Sequence, residues 1–324
     1  IVFKSRNGAA RTILRQAQTT CPAGIDKMQA RILVLGDLDA VVDGFTITGG
    51  HWIGNNANGA QTYYGSSVRI ETPGGSLINC RVVGNSIGNN QLGGIYISSR
   101  DALVSNCFVR ANNTTGGNSN YPALYAEGGL ITHSDISCNT NSTTANGQGI
   151  GARLQGYACM SHCTLTNNVY KNKGGQTDAA ALSVGSTLTT VDNCLIANNR
   201  SETDSGKCSG LYLTAGKVIH CTITGNSTKS STCSGIWCQS GSNEVEIRGC
   251  IVSGNKAGAP DQADWHLGNT PSKLTVVRSM APYGFTGANT ISGCLTATAV
   301  FEDAANGNYV LSLASDGRDC CPSS

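Results

Sequence analysis

A repeat of 27 to 31 residues runs through the middle of the sequence and constrains the fold more than any other feature. Each unit is aligned on a cysteine or serine, called the anchor here. Subtracting successive anchor numbers gives intervals of 27, 27, 29, 31, 27 and 29 residues. Periods of 20 to 50 residues are typical of solenoids, in which each unit packs only on its neighbours. The anchors are Cys80, Cys107, Ser134, Cys163, Cys194, Cys221 and Cys250, and Phe45 and Ser279 extend the series weakly.

The pattern within each unit predicts β-strands. The anchor and the residue two beyond it are apolar or small, and the residue between them varies, which is the period of two expected of a strand. A second strand precedes the anchor, as at residues 94–97, and a third short strand lies between them, as at Leu103 and Val104. Three short strands in about 28 residues predict an all-β, right-handed parallel β-helix of about nine or ten coils. We expect one domain, with coils over 31–279 and capping segments at 1–30 and 280–324, because solenoid ends need caps.

Two further columns in the alignment predict the turns. The residue before each anchor is of a type that tolerates positive φ, which predicts a left-handed bend. Three of the five histidines, His133, His162 and His220, fall in this column, which favours a structural role over catalysis. Five residues after each anchor stands an asparagine, and stacking at about 4.8 Å predicts a ladder of bonded amides. The ladder residues are Asn85, Asn112, Asn139, Asn168, Asn199, Asn226 and Asn255.

Six of the 15 cysteines are anchors of the repeat. The anchor cysteines should lie in the core as reduced thiols, because parallel stacking leaves their Cβ atoms farther apart than a disulfide favours. Cys208 and Cys233 occupy equivalent Cys-Ser-Gly segments, and for them both a disulfide and two separate thiols remain open.

Composition excludes several partners. Charged residues make up 13% of the chain, against roughly 25% in typical domains, and the formal net charge is +2. No basic stripe is present, which argues against nucleic acid. No segment approaches the roughly 20 apolar residues that span a bilayer. We predict no metal site, no cofactor and a monomer.

The segment Gly44-Phe45-Thr46-Ile47-Thr48-Gly49-Gly50 and the Cys-x-Ile-x-x-Asn coils resemble the pectin-lyase-like superfamily, and residues 308–313 are similar to the closing strand of such proteins. The resemblance implies a secreted or outer-surface bacterial protein that binds complex polysaccharide. The carboxylate and histidine sets of the pectin-cleaving enzymes are absent from the sequence. A glycoside hydrolase or polysaccharide lyase activity is therefore left open beside binding, and the alternative is a structural or adhesive surface protein without catalysis.

Alternation in the strand before the bend places four aromatic residues on one outward face: Tyr96, Tyr125, Tyr212 and Trp237. Exposed rings on a neutral surface are suited to stacking on sugars. We predict that they bind substrate. The alternative is that the corner loops cover them.

Four charged residues at the junction of loops and strands are the catalytic candidates: Asp178, Glu202, Asp204 and Arg153. Two carboxylates some 5 to 10 Å apart are the minimum for glycoside hydrolysis, and Asp178 with Asp204 or Glu202 on adjacent coils could meet it. Solvated loop charges are the alternative interpretation.

Overall fold

The chain is a parallel β-solenoid, as the repeat predicts. The computed structural model describes residues 1–16, 32–52, 67–88, 94–115, 123–142, 149–171, 179–203, 206–229, 232–258 and 263–316. Nearly all its regular structure is β-strand. The described residues include a short 3₁₀ helix, Ala304–Asn306, and contain no helix with the length and apolar character needed to cross a lipid bilayer.

Four stacks of parallel strands run along the solenoid, named stacks 1 to 4 in the order in which a coil visits them. Stack 1 contains Leu33–Leu35, Val68–Ile70, Ile95–Ile97, Leu124–Ala126, Ala152–Leu154, Ile236–Cys238 and Trp265–Leu267. Stack 2 contains Val2–Lys4, Val41–Asp43, Gly74–Ile78, Asp101–Ser105, Leu130–Thr132, Cys159–Ser161, Glu244–Arg248, Lys273–Val277 and Thr290–Ser292. Two long strands, Leu182–Asp192 and Leu211–Ile219, pass through both stacks and join them into one sheet.

The other two stacks form separate sheets. Stack 3 carries the anchor strands Ile13–Arg15, Thr46–Thr48, Arg81–Val83, Phe108–Arg110, Asp135–Ser137, Thr164–Thr166, Leu195–Ala197, Thr222–Thr224, Ile251–Ser253, Met280–Ala281 and Leu295–Thr296. Stack 4 carries His51–Trp52, Ser86–Gly88, Asn113–Thr115, Thr140–Asn141, Val169–Tyr170, Arg200–Ser201 and Ser227–Thr228.

The number of coils and the strands in each refine the prediction. Among the described residues, stack 4 has seven strands and stack 3 has eleven, which gives about seven turns with strands in all four stacks. This is fewer than the nine or ten expected, because the described parts of the end coils have strands in only some of the stacks. The three predicted strands are present in each complete coil. A short fourth strand follows the ladder asparagine and has no clear sequence signal.

The core is a set of apolar columns in strict register. Val82, Val109 and Ile136 are paired directly along stack 3, and all three are fully buried. The same position continues apolar and buried in later coils, because the period of two in each strand sends this residue inward. Burying each such side chain contributes roughly 1.5–3 kcal/mol. The column also contains Ile47, Leu165, Ile196, Ile223 and Val252.

The asparagine ladder lies between stacks 3 and 4 and is buried. Asn139 Nδ2 donates to Asn168 Oδ1 at 3.0 Å, and Asn168 Nδ2 donates to Asn199 Oδ1 at 3.0 Å. Each amide also donates to a backbone carbonyl of the preceding coil, as Asn168 Nδ2 does to Ile136 O at 2.9 Å. At the last rung Asn255 donates from N and Nδ2 to Asp264 Oδ1, at 3.0 and 2.7 Å.

The left-handed bends before the anchors are confirmed, with φ between +48° and +54° from Asn79 to Asn193. This bend column is exposed, and the His133 and His162 rings stack in it with centroids 5.0 Å apart. A second left-handed column was missed. It consists of the residue just before each ladder asparagine and includes Ala111 (φ 52°) and Cys138 (φ 55°).

The anchor cysteines are buried thiols, as predicted. Burial raises the pKa of the Cys107 thiol to about 12. The disulfide between Cys208 and Cys233 is absent. Each sulfur instead contacts a carbonyl, Gly235 O for Cys208 and Ile236 O for Cys233, both at 3.1 Å.

Strands also occur in both segments predicted to be caps. Val2–Lys4 pairs with Val41–Asp43, and Thr290–Ser292 pairs with stack 2. The chain then forms an antiparallel hairpin, Phe301–Asp303 with Asn308–Leu311. This hairpin lies against the outside of the solenoid, where Asn198 Nδ2 donates to the Tyr309 hydroxyl at 2.6 Å.

Candidate functional site

An outward row of large polar and aromatic side chains follows stack 1. Its members are the central residues of successive strands, so each is in register with the next. The outward row consists of Arg69, Tyr96, Tyr125, Arg153, Ser183, Tyr212, Trp237 and His266. It contains all four predicted aromatic residues and Arg153.

The first half of the row is two tyrosines between two arginines. The Arg69 guanidinium lies 5.5 Å from the centroid of the Tyr96 ring, and the Arg153 guanidinium lies 5.5 Å from that of Tyr125. The two tyrosine rings are 5.6 Å apart and tilted by 38°. Each ring therefore has aromatic and cationic neighbours along the row.

In several coils, the residue two positions after the row member supplies a hydrogen-bond acceptor. The Glu127 carboxylate accepts from the hydroxyls of Tyr96 and Tyr125, each at 2.9 Å. The Gln155 amide lies 3.1 Å from the Tyr125 hydroxyl and, with its oxygen turned toward Arg153, accepts from that guanidinium. Glu71 pairs with Arg69 at 2.6 Å. Sequence reasoning missed this flanking set, although its spacing of two residues from the row was a readable signal.

The second half of the row lies beyond a gap. Ser183 and Gly185 occupy the gap and leave it without large side chains. Beyond it the Lys207 ammonium lies 4.8 Å from the centroid of the Tyr212 ring. The Tyr212 hydroxyl donates to Gln239 Oε1 at 3.1 Å.

The prediction of exposed aromatic rings was wrong for the three tyrosines. Tyr96, Tyr125 and Tyr212 are 6%, 2% and 8% exposed. A cationic side chain lies over each ring, and Tyr96 and Tyr125 also pack against each other. Trp237 and His266 are partly exposed. The role of the four aromatic residues in substrate binding stays a prediction.

The structure describes two of the four catalytic candidates, Glu202 and Arg153. Asp178 and Asp204 lie outside the described residues. Glu202 directly follows the stack 4 strand Arg200–Ser201 and accepts from Arg200 Nη2 at 2.6 Å, whereas Arg153 is on stack 1. No hydrogen bond or ion pair within the described ranges joins Glu202 to Arg153. Their catalytic role stays a prediction.

Two titrating groups near the end of the row are shifted by burial. Burial lowers the pKa of His266, which favours the neutral imidazole. Burial also raises the pKa of Asp264, although its bonds to Asn255 oppose the shift. Across the part of the chain that is described, no three His, Cys, Asp or Glu side chains are grouped so as to hold a metal ion.

No protein-family model, curated protein or solved structure matches this chain.

Proposed function

We propose that this chain is a secreted or outer-surface bacterial protein, related to the pectin-lyase-like superfamily, that binds complex polysaccharide along the outward row. The observation that carries the proposal is the register of the row. It places one side chain per coil about 4.8 Å from the next, with guanidinium, phenol, amide and carboxylate groups on and beside the row before the gap at Ser183, and phenol, indole, imidazole and amide groups after it. A sugar chain also presents hydroxyl groups at regular intervals, so a ligand lying along the row would meet partners on both sides of the gap.

Three partly exposed side chains on and beside the row support this proposal better than the tyrosine rings do. Glu127, Arg153 and Gln155 are all partly exposed. The buried tyrosines hold them, because Tyr96 and Tyr125 each fix one oxygen of Glu127. Side chains held in advance lose less conformational freedom when a ligand binds.

Cleavage is an extension of the proposal. Hydrolysis needs two carboxylates around the scissile bond, and Asp178 and Asp204 are the candidates, with Arg153 and Glu202 nearby in sequence order. Release of reducing ends or of unsaturated product from pectic, host or algal polysaccharides would support cleavage. Loss of that product in Asp178→Asn would assign it.

A structural or adhesive role is the second candidate, and the burial of three tyrosines favours it. A row packed side chain against side chain also stiffens the sheet, and that function needs no ligand. The two candidate functions predict different results for substitutions on the row. They weaken glycan binding if the row binds the glycan, and leave it unchanged if the row is structural.

The experiment is a glycan array and affinity electrophoresis on the same panel of polysaccharides, with matched variants. Arg153→Gln removes one of the two guanidinium charges of the row, and Glu127→Gln removes a carboxylate charge while keeping the shape of the side chain. Glu246→Gln is the control, since Glu246 lies on stack 2 and pairs with Arg248. We expect binding by the unmodified chain and the control, and about tenfold weaker binding in Arg153→Gln, because a charge-assisted hydrogen bond contributes about 1.5 kcal/mol.

Absence of binding to the whole panel would contradict the proposal. Binding that is unchanged in both variants on the row would place the glycan elsewhere and favour the adhesive alternative.

A further inference from the structure

The last aromatic residue of the row differs from the three tyrosines before it. Tyr96, Tyr125 and Tyr212 each have a cation over the ring. Trp237 has no such pair within the described residues, and its side chain is partly exposed. Its neighbour in the next coil is His266, with ring centroids 4.3 Å apart and planes at 48°.

Gly268 determines how the indole lies. It is in register with Gln239, at the flanking position where earlier coils carry Glu127, Gln155 and Thr214. A Cβ atom at residue 268 would be 2.3 Å from Trp237 Nε1 and 2.9 Å from Cε2. The indole edge therefore occupies the space that a side chain would fill.

The surface that Trp237 presents is consequently apolar. Nε1 is buried and has no hydrogen-bond partner among the described residues. Since Nε1 is the only polar atom of the side chain, the accessible part of the side chain is carbon. Beside it, Gln239 and His266 are partly exposed and carry polar groups.

This combination suits one sugar ring. A pyranose has an apolar face of C–H groups and a rim of hydroxyls, so it needs an aromatic surface with hydrogen-bonding neighbours. The lowered pKa of His266 leaves the imidazole neutral at neutral pH. Neither Gln239 nor neutral His266 offers a charge to a carboxylate or sulfate.

We propose that Trp237, Gln239 and His266 form a subsite that holds one uncharged pyranose unit of the bound polysaccharide, with the indole as the stacking surface. This subsite rests on the proposed function and specifies the ligand at one end of the row.

The test is isothermal titration calorimetry with β-1,4-linked glucose, mannose and xylose hexamers as neutral probes and a galacturonate hexamer as the acidic probe. Trp237→Ala removes the stacking surface. Gly268→Ala keeps the tryptophan but displaces the indole. Tyr157→Ala is the control, because Tyr157 is a 44% exposed aromatic residue that is not part of the row. Circular dichroism confirms that each variant is folded.

We expect at least one neutral hexamer to bind, with affinity at least tenfold lower in Trp237→Ala, about tenfold lower in Gly268→Ala and unchanged in Tyr157→Ala. Binding of neutral hexamers that is unaffected by Trp237→Ala would overturn the subsite. So would binding of the acidic hexamer alone, weakened by Arg153→Gln and not by Trp237→Ala, and either result would leave polysaccharide binding along the row intact. Failure of every glycan in the array to bind the unmodified chain would overturn the proposed function and the subsite with it.

Discussion

Two asparagine-rich columns run along the solenoid, one buried and the other exposed. In the ladder between stacks 3 and 4, each amide is buried and bonded to both neighbouring coils, as for Asn168. In the bend column before the anchors, Asn106 is exposed and donates to Asn79 at 2.7 Å. Histidine and glycine replace asparagine in the bend column, whereas no other residue type interrupts the ladder from Asn85 to Asn255. The same residue type thus acts as a buried connector in one column and as a tolerant turn residue in the other.

The largest predicted effect comes from removing one rung of the ladder. Asn168→Ala leaves Asn139 N and Nδ2 without their acceptor and removes the side-chain donor to Ile136 O. Because buried unpaired groups cost about 1–3 kcal/mol each, we expect a loss of about 4 kcal/mol in the free energy of unfolding, measured by urea denaturation.

Asn106→Gly is the matched change in the bend column. Glycine accepts the positive φ of this position, and only an exposed hydrogen bond is lost, so we expect a change within about 0.5 kcal/mol. Losses of similar size in the two variants would show that burial does not distinguish the columns.

The second prediction concerns the last rung, where a carboxylate replaces the amide. Burial raises the pKa of Asp264 above its ordinary value of 3.8. A raised pKa favours the protonated group in the folded state. That contribution to stability is complete below the ordinary pKa and is lost as the pH rises through the pKa of the folded state.

Asp264→Asn should therefore be more stable than the unmodified chain at pH 7, and its advantage should shrink as the pH falls toward 4. The measurement is the difference in melting temperature across this range. Asp264→Ala, which removes the acceptor for both Asn255 donors, should be destabilised by about 2 kcal/mol at pH 7, and by more as the pH falls toward 4, because the unmodified chain then gains the contribution of the protonated Asp264. An advantage of Asp264→Asn that is constant with pH would mean that charge is not the cause.

The columns also show which features of the structure could be predicted from the sequence. The Cys, Asn and bend columns were predictable because each recurs at the interval of the coil, and a strand period of two decides which side chains turn inward. The burial of Tyr96 and Tyr125 was not predictable, since alternation gives the direction of a side chain and not what lies against it. Glu127 was missed because its partners come from two different coils. Asp264 was missed because it joins the ladder from outside the repeat position.

The smallest predicted effect concerns the second left-handed column. It tests whether backbone strain alone, or also contact with neighbouring side chains, sets the effect of a substitution on the free energy of unfolding. Ala111 adopts φ 52°, which costs an L-residue about 1 kcal/mol relative to glycine. Gly84 and Gly254 hold this position in other coils, and a Cβ added to either would come no closer than 3.4 Å to its nearest neighbour. Ala111→Gly should therefore raise the free energy of unfolding by about 1 kcal/mol, less the entropy that glycine adds to the unfolded chain.

At Gly225 the same position is crowded, since a Cβ would lie 2.5 Å from Asn198 Oδ1, so Gly225→Ala should destabilise by more than Ala111→Gly stabilises. Equal and opposite changes in the two variants would show that φ alone sets the energy of this column, and a larger loss at Gly225 would show that contact with Asn198 adds to it.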